Sequence, residues 1–220
     1  MWQQLLAATP LLTVADAQAL DALALQREVA AGDWVFTHRS AARSLVLLQG
    51  GMVSVGHSSG AAMAPERMLH GPAWLDAASA WLAGANHALD ARAIVTAQVA
   101  ELPRAALQAL LLQRPLLVPG FLAVLAEEVR RLSLHTHELM HKDASGRLAA
   151  WLHRHLQPSS GAPSLLHLSE RKRDIAAQLG MSPETLSRQM RLLSQRGLIA
   201  VRGYHVQILD GAGLQRLAQA

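Results

Sequence analysis

Apolar positions recur at helical spacing near the start of the chain and again throughout its second half. Within residues 11–26 they lie one to three positions apart, and Thr13 or Asp16 is placed to open the helix. Helical periodicity returns at about Pro103 and dominates from there on. The pattern therefore predicts a short N-terminal helix and a mainly helical second half. The apolar positions of the first helix are Leu11, Leu12, Val14, Ala17, Leu20, Leu23 and Leu25.

Residues 27–102, between these helical stretches, have a different pattern. Short apolar or alternating runs are separated by glycines, which is typical of short strands joined by tight turns. Many strands of this kind predict an antiparallel sandwich or barrel. The runs are Trp34–Phe36, Ser44–Leu48, Met52–Val55 and Ala93–Leu102.

A long helix is predicted after Pro119. Six of its positions, spaced 3, 4, 3, 4 and 3 residues apart, form a heptad seam that is apolar at five of the six. A seam on a helix between two domains predicts an interface with a second copy of the chain, although a helix packed on its own domain has the same pattern. The seam is Leu122, Leu125, Val129, Leu132, Thr136 and Leu139. A second helix, Asp143–Leu156 with Asp143 as its N-cap, and a loop at Gln157–Ser164 are predicted next.

The segment after Leu168 has the pattern of a winged helix-turn-helix. A first helix ends at Gly180, and Ser182 and Pro183 are suited to the N-cap and first position of a second helix. The two inner faces carry Ile175, Ala176, Leu179, Leu186, Met190 and Leu193. Two strands, Leu198–Val201 and Tyr204–Leu209, then form a wing around a tight turn at Arg202–Gly203.

The outer face of the second helix presents side chains that can contact DNA bases. Glu184 can accept a hydrogen bond from cytosine N4, and Arg188 can donate two to guanine O6 and N7. Ser187 can contact either a base edge or a phosphate. The alternative is a small helical subdomain with a Glu184–Arg188 surface pair. The residues expected to contact phosphate or flank the bases are Ser182, Thr185, Arg191, Arg202 and Lys172.

The charge distribution supports an anionic partner for this segment. Residues 1–167 hold 12 Lys and Arg against 12 Asp and Glu, and residues 168–220 hold 8 against 4. The formal net charge of +4 therefore lies in the last quarter of the chain. A solvated basic surface would give the same count, but double-stranded DNA is the first candidate partner.

The run Asp174–Ile199 closely resembles the winged helix of the Crp/Fnr transcription regulators, and the resemblance extends over the whole chain. It implies an α+β fold with an antiparallel, jelly-roll-like β-roll sensor domain at residues 1–117. A long dimerisation helix at 118–141 and a winged helix-turn-helix domain at 142–220 would follow. By the resemblance, Glu184, Ser187 and Arg188 would contact a TTGAT-like half-site in a homodimer, and RNA polymerase would be a partner. No stretch approaches a membrane span and no signal peptide is indicated, so a cytoplasmic location is expected.

The sensor domain can be compared with the cyclic-nucleotide-binding members of the family. Cyclic-nucleotide-binding members have a phosphate-binding cassette resembling G-x-x-x-G-E followed by R-S or R-T. Here Gly71 fits that cassette, but Leu75–Asp76 stand where Gly-Glu would be, and Asn86–His87 stand where the Arg and its hydroxyl partner would be. Without the Arg a buried phosphate has no charged partner, so cyclic AMP is not expected, and Arg92 could substitute only in a rearranged pocket. The expected pocket residues are Gly71, Trp74, Asp76, Asn86 and His87.

The numbers of cysteines and histidines limit which cofactors the chain could bind. The chain has no cysteine, which excludes the iron–sulfur sensing of the oxygen-responsive branch, and it has 11 histidines. Haem, and with it gas sensing, remains an alternative, with His70 as ligand and Met68, Leu69, Trp74 and Trp81 as apolar walls. His137 and His141 have chelating spacing but no third ligand, so they are expected to be surface histidines. A His-dependent metalloenzyme and a regulator whose pocket is filled by its own Leu and Trp side chains are the remaining hypotheses.

Overall fold

The computed structural model describes residues 13–59, 62–155, 165–168 and 170–219. These residues have the α+β architecture that the sequence predicts, with antiparallel sheets first and helices later. The chain divides into two compact units, residues 1–131 and 132–220, and the boundary falls within the longest helix.

The first unit begins with helix α1 (Val14–Leu23) and continues as a series of strands. The strands are β1 (Leu25–Val29), β2 (Trp34–Phe36), β3 (Ser44–Gly50), β4 (Met52–Ser59), β5 (Ala62–His70), β6 (Ala73–Trp74), β7 (Asp90–Ala93) and β8 (Ala97–Pro103). Helix α2 (Arg104–Gln113) follows, and helix α3 (Val118–His141) begins in this unit. Single turns of 3₁₀ helix lie at Ser79–Trp81 and Pro115–Leu117.

Two four-stranded antiparallel sheets, in the orders β1–β8–β3–β6 and β2–β7–β4–β5, enclose the main core of this unit. Strand β3 is buried on both faces. Val46 and Leu48 point into the core between the sheets, and Leu45 and Leu47 belong to a second core with Leu20 of α1, Leu107 of α2 and Phe121 of α3. Because side chains alternate across a strand, this double burial explains why Ser44–Leu48 is apolar at consecutive positions.

The predicted N-terminal helix is correct in its start and wrong in its end. Thr13 is the N-cap, and it forms a capping box with Asp16, so both candidate residues contribute. The helix stops at Leu23, because the chain is extended at Ala24 and Leu25 begins β1, which pairs with β8. Leu11 and Leu12 lie outside the described residues.

The predicted run Ala93–Leu102 is two strands rather than one. β7 pairs with β4 in one sheet and β8 pairs with β3 in the other, so the chain must cross between the sheets. Ile94 and Val95 are exposed at this crossing, and their apolar character concealed the break. The other three predicted runs are confirmed within β2, β3 and β4. Strands β1, β5, β6 and β7 were not predicted separately.

Helix α3 is the predicted long helix, with Pro119 in its first turn. The heptad seam lies on a mostly uncovered side. Leu122, Val129, Leu132 and Leu139 keep 59%, 63%, 49% and 41% of their surface exposed, Thr136 is exposed, and Leu125 is half-buried. The described chain therefore leaves most of the seam available for a partner.

The second unit contains the remaining elements around one hydrophobic core. They are α4 (Ala144–His155), β9 (Leu165–His167), α5 (Lys172–Gln178), α6 (Pro183–Gln195), β10 (Ile199–Arg202), β11 (His205–Ile208) and α7 (Gly211–Gln219). The predicted N-cap of α4 is confirmed, because Asp143 Oδ1 accepts a hydrogen bond from the Gly146 N–H at 2.7 Å. Leu156 and the predicted loop Gln157–Ser164 lie outside the described residues.

No single helix of the described residues is long and apolar enough to cross a membrane. Arg104–Gln113 and Pro115–His141 meet that test only as a pair, and they are bent by 112° where they meet.

Candidate nucleic-acid interface

The turn between α5 and α6 has the geometry that the sequence predicts. Gly180 has φ +60°, and a Cβ at this position would lie 2.8 Å from Cδ2 of Leu139. A side chain here would meet both a strained backbone and a crowded site. Ser182 then caps α6, because its Oγ accepts a hydrogen bond from the Thr185 N–H at 3.2 Å.

The inner faces of α5 and α6 hold the two helices against the unit's core. Ile175 and Ala176 of α5 and Leu186, Met190 and Leu193 of α6 are all buried. The buried positions of α6 are four and three residues apart, so they occupy one side of the helix. The opposite side is thereby turned toward solvent.

That exposed side carries the three predicted base-contacting residues, Glu184, Ser187 and Arg188, at positions i, i+3 and i+4. Arg191, predicted to contact phosphate or flank the bases, follows at i+7, and all four residues are exposed. No ion pair joins Glu184 to Arg188 in the part of the chain that the structure describes. The alternative explanation of their spacing, a surface ion pair between Glu184 and Arg188, is therefore not observed.

The charge of Glu184 suits a hydrogen-bond acceptor. Hydrogen bonds from its own backbone N–H and from the Ser182 hydroxyl lower the pKa of Glu184 below its usual value. The carboxylate at the first turn of α6 is consequently ionised at neutral pH and can accept from a base amino group.

The residues predicted to contact phosphate have differing environments. Arg191 and Arg202 are exposed, whereas Thr185 and Lys172 are half-buried. Ser182 is exposed, but its Oγ already accepts the capping hydrogen bond. Lys172 is the first residue of α5 and follows Arg171, the exposed N-cap residue of that helix.

The wing is a three-stranded sheet in the order β10–β11–β9. The predicted turn is displaced by one residue: Arg202 pairs with His205, so the turn is Gly203–Tyr204, and Gly203 has φ +61°. Strand β9 was not predicted. It pairs with β11 and places His167 opposite His205, with their ring centroids 4.7 Å apart.

Comparison with known protein families identifies this geometry. Residues 146–217 match the model of the Crp-like helix-turn-helix domain. Residues 146–217 of this chain therefore form a Crp-like helix-turn-helix domain.

Two curated Crp/Fnr relatives show how far the sequence similarity extends. The transcriptional activator protein Anr of Pseudomonas protegens is 32% identical over 136 residues, which are 60% of this chain and 56% of Anr. The fumarate and nitrate reduction regulatory protein of Escherichia coli K12 is 28% identical over 136 residues, 60% of this chain and 54% of that protein. The match thus spans little more than half the length of these relatives. By name, the first relative is a transcriptional activator and the second is a regulatory protein.

The fold itself is shared along most of the chain. The structure of FixK2 from Bradyrhizobium japonicum superimposes with a TM-score of 0.72 at 22% identity, covering 90% of this chain and 98% of FixK2. At this identity the likeness establishes the architecture, including the β-roll that precedes the long helix.

In the stretch corresponding to the Crp/Fnr nucleotide cassette, polar side chains are hydrogen-bonded within the stretch. Nδ1 of His87 donates to Oδ2 of Asp76 at 3.0 Å, and the Ser79 N–H donates to Oδ1 at 3.1 Å. Burial alone would raise the pKa of Asp76, but the hydrogen bonds from His87 and Ser79 outweigh it and lower that pKa to about 2. The two polar groups expected to face an effector are thus bonded to each other.

The other expected pocket residues are dispersed. Gly71 approaches β3 so closely that a Cβ would lie 2.6 Å from the carbonyl of Gln49. Trp74 packs beside Phe121, and Asn86 is exposed and bridges to Ala41. Of the five, His87 lines a cleft of about 370 Å³, which it shares with Phe36, Arg43, Ser44 and Glu101 among others.

Arg92 is not available as a substitute for the missing cassette Arg in this arrangement. Its Nε donates to the carbonyl oxygen of Gly32 at 2.6 Å, and its guanidinium lies over the ring of Trp34 at 5.3 Å. The rearranged pocket that a role for Arg92 would require is not the one observed.

The residues around His70 do not fit a haem. His70 is exposed at the end of β5, while Trp74 and Trp81 pack against Phe121 in the second core, the one that contains Leu45 and Leu47 of β3. Leu69 packs instead against the core between the sheets. The expected walls are therefore divided between two cores and do not enclose His70.

The remaining histidine pairs do not form metal centres by themselves. His137 and His141 lie on one helix face with ring centroids 4.5 Å apart. Among the described residues, no group of three or more His, Asp or Glu side chains is arranged to hold a metal ion. The metalloenzyme hypothesis thus has no site in this part of the chain to support it.

Proposed function

We propose that this protein is a sequence-specific DNA-binding transcription regulator of the Crp/Fnr type, acting in the cytoplasm as a homodimer. The observation that carries the proposal is the exposed face of α6, where Glu184, Ser187 and Arg188 project from a helix whose other side is buried. A helix held in this way can enter the major groove of DNA.

Each of these side chains has a distinct task on a TTGAT-like half-site. The ionised Glu184 accepts from cytosine N4, and Arg188 donates two hydrogen bonds to guanine. Ser187 assists at a base edge or a phosphate. Arg191, Arg202, Lys172, Ser182 and Thr185 flank the bases and contact the backbone.

The heptad seam of α3 supports the homodimer. Its exposed leucines and Val129 are costly to leave in water and are spaced to pack against a second copy of the helix. A two-fold dimer would place its two recognition helices in successive major grooves, about 34 Å apart, on a pseudo-palindromic site. RNA polymerase is the partner through which such a regulator acts.

The β-roll is the part of the chain proposed to receive an effector, whose identity is open. The Asp76–His87 bond occupies the cassette position, which argues against cyclic AMP. The cleft beside His87 and Phe36, at about 370 Å³, is within the size range of small-molecule sites. A ligand there would shift the population between two arrangements of the dimer.

The test is binding of the full chain to a labelled duplex carrying a TTGAT pseudo-palindrome, compared with a scrambled duplex of equal length. Arg188→Ala should weaken binding to the palindrome by about 1–3 kcal/mol and relax the preference at one base pair. Arg216→Ala on α7, exposed and outside the interface, is the matched control. Absence of wild-type binding to both duplexes at low salt would overturn the proposal, and equal weakening of both duplexes by Arg188→Ala would make Arg188 a phosphate contact.

A further inference from the structure

Three side chains form a row across the outer face of the wing. Arg202 of β10 pairs with His205 of β11, and His205 pairs with His167 of β9. All three are exposed, while Val206 and Ile208, next to them on β11, are buried in the unit's core. We call Arg202, His205 and His167 the wing row. With strands about 4.8 Å apart, it is about 10 Å long.

The strand register brings the two imidazoles unusually close. The Leu168 N–H donates to the carbonyl oxygen of Tyr204 at 2.7 Å, which makes Leu168 and Tyr204 a hydrogen-bonded pair. Hydrogen-bonded and non-bonded pairs alternate in an antiparallel ladder, so His167 and His205 form a non-bonded pair, in which side chains approach most closely. Their ring centroids are 4.7 Å apart.

The surroundings of the row favour an external anion. Strands β9, β10 and β11 contain no acidic residue. The carboxylates that flank them in sequence are engaged elsewhere: Glu170 accepts from the Gln178 amide, and Asp210 accepts from the Gly213 N–H at 2.8 Å. Asp210 also lies 4.0 Å from Arg216.

The residues that follow the row in sequence are basic: Arg171 and Lys172 begin α5 just after β9. The exposed Tyr204 is the other side chain at the turn. An anion bound across the row would lie against both imidazoles and the Arg202 guanidinium and would form charge-assisted hydrogen bonds with them.

We propose that His167 and His205 extend the phosphate contact of Arg202 across the wing, along the DNA backbone beside the bases contacted by α6, and that both histidines take up protons as the phosphate binds. This inference rests on the proposed DNA-binding function and extends it. DNA is the anion chosen because the row and α6 belong to the same unit, and β10 follows α6 directly after the Gly197 turn. Its length suits a polyanion with successive phosphates better than a single small ion.

The experiment measures the affinity of the full chain for the TTGAT duplex and the scrambled duplex at pH values of about 6 and 8, where histidine changes charge. Linkage requires affinity to rise as pH falls, by up to about tenfold per pH unit for each proton taken up. The His167→Asn/His205→Asn double variant should lose most of this rise and weaken both duplexes to the same degree. His205→Lys, which keeps a charge at both pH values, should bind at pH 8 at least as tightly as the wild type.

A matched control separates the row from general protonation. His153→Asn removes an exposed histidine of α4 in the same unit and should keep the wild-type pH profile. If the double variant keeps that profile while Arg188→Ala abolishes discrimination, the wing-row proposal is wrong and the DNA-binding function stands. If binding instead requires added Zn²⁺ and is lost with a chelator, the pair is a metal site and the proposal is also wrong. Absence of DNA binding by the wild type overturns the function itself.

Discussion

The guanidinium of Arg147 donates from Nε to the carbonyl oxygen of Leu179 at 2.8 Å. Leu179 is the C-cap residue of α5, just before the Gly180 turn. The same guanidinium donates from Nη1 to the carbonyl oxygen of Lys142 at 2.7 Å, directly after α3. One side chain of α4 thus fixes the end of α3 and the entrance to the helix-turn-helix, both within the second unit.

Replacing Arg147 should destabilise that unit. Arg147→Ala leaves two carbonyl oxygens without their donor, and we expect a loss of about 1–3 kcal/mol in the free energy of unfolding. Arg147→Lys should recover only part of this, because an ammonium lacks the planar fork that reaches both oxygens. Urea denaturation followed by circular dichroism measures the change. Arg216→Ala is the control, with an expected change near zero, and an equal loss in both variants would contradict the assignment.

Two glycines with nearly equal φ angles allow the cost of side-chain crowding at the turn to be measured separately from the cost of backbone strain. Gly180 has φ +60° and Gly197 has φ +69°, but only Gly180 would place a Cβ against another residue, Leu139. Gly197→Ala should cost about 1–2 kcal/mol from backbone strain alone. Gly180→Ala should cost more in the same unfolding measurement. Equal losses would show that the Leu139 side chain moves away freely.

The features that the sequence predicted correctly are set by neighbouring residues. The caps at Thr13, Asp143 and Ser182 each depend on a side chain and a backbone N–H three residues apart, so the local pattern is sufficient to find them. The exposed face of α6 follows from helical periodicity in the same way.

The missed features depend on residues far apart in the chain. His167 and His205 are brought together by the pairing of β9 with β11, and Arg147 contacts Leu179 through the tertiary fold. In the cassette stretch, the sequence placed Asp76 and His87 in one region but not in contact with each other. The hydrogen bond between them depends on the side-chain geometry of the folded chain. A single sequence does not contain that information in its spacing.

The first unit should lose stability in acid through Asp76 and Asp90. Burial would raise the pKa of Asp90, but hydrogen bonds from the His38 N–H and from Ser58 outweigh it and hold that pKa well below its usual value. The pKa of Asp76 is lowered to about 2. Because folding lowers both pKa values, the stabilisation is complete above the unfolded pKa of 3.8 and is lost as pH falls through the folded values.

For Asp76 the expected loss is roughly 2 kcal/mol between about pH 4 and pH 2. Asp76→Asn should reduce the pH dependence of the unfolding free energy in that range. Asp33→Asn is the matched control, because it makes the same replacement at an exposed position whose side chain makes no hydrogen bond within the described residues. An Asp76→Asn variant whose stability falls with acid as steeply as the wild type would show that the His87 bond does not stabilise the carboxylate.

Two exposed apolar residues of α3 separate dimerisation from the stability of the chain itself. Val129, 63% exposed, belongs to the heptad seam, whereas Leu134, 50% exposed, lies off it. Val129→Glu would bury a charge in each copy at a two-fold interface, and should weaken the dimer by at least about a hundredfold. Leu134→Glu introduces the same charge on the same helix outside the seam and should leave the dimer intact. Sedimentation equilibrium gives the dissociation constants. If the wild type is monomeric, or if the two variants have equal effects, the seam is not the dimer interface. If Val129→Glu alone weakens the dimer and also lowers the affinity for the palindrome, the seam is linked to DNA binding.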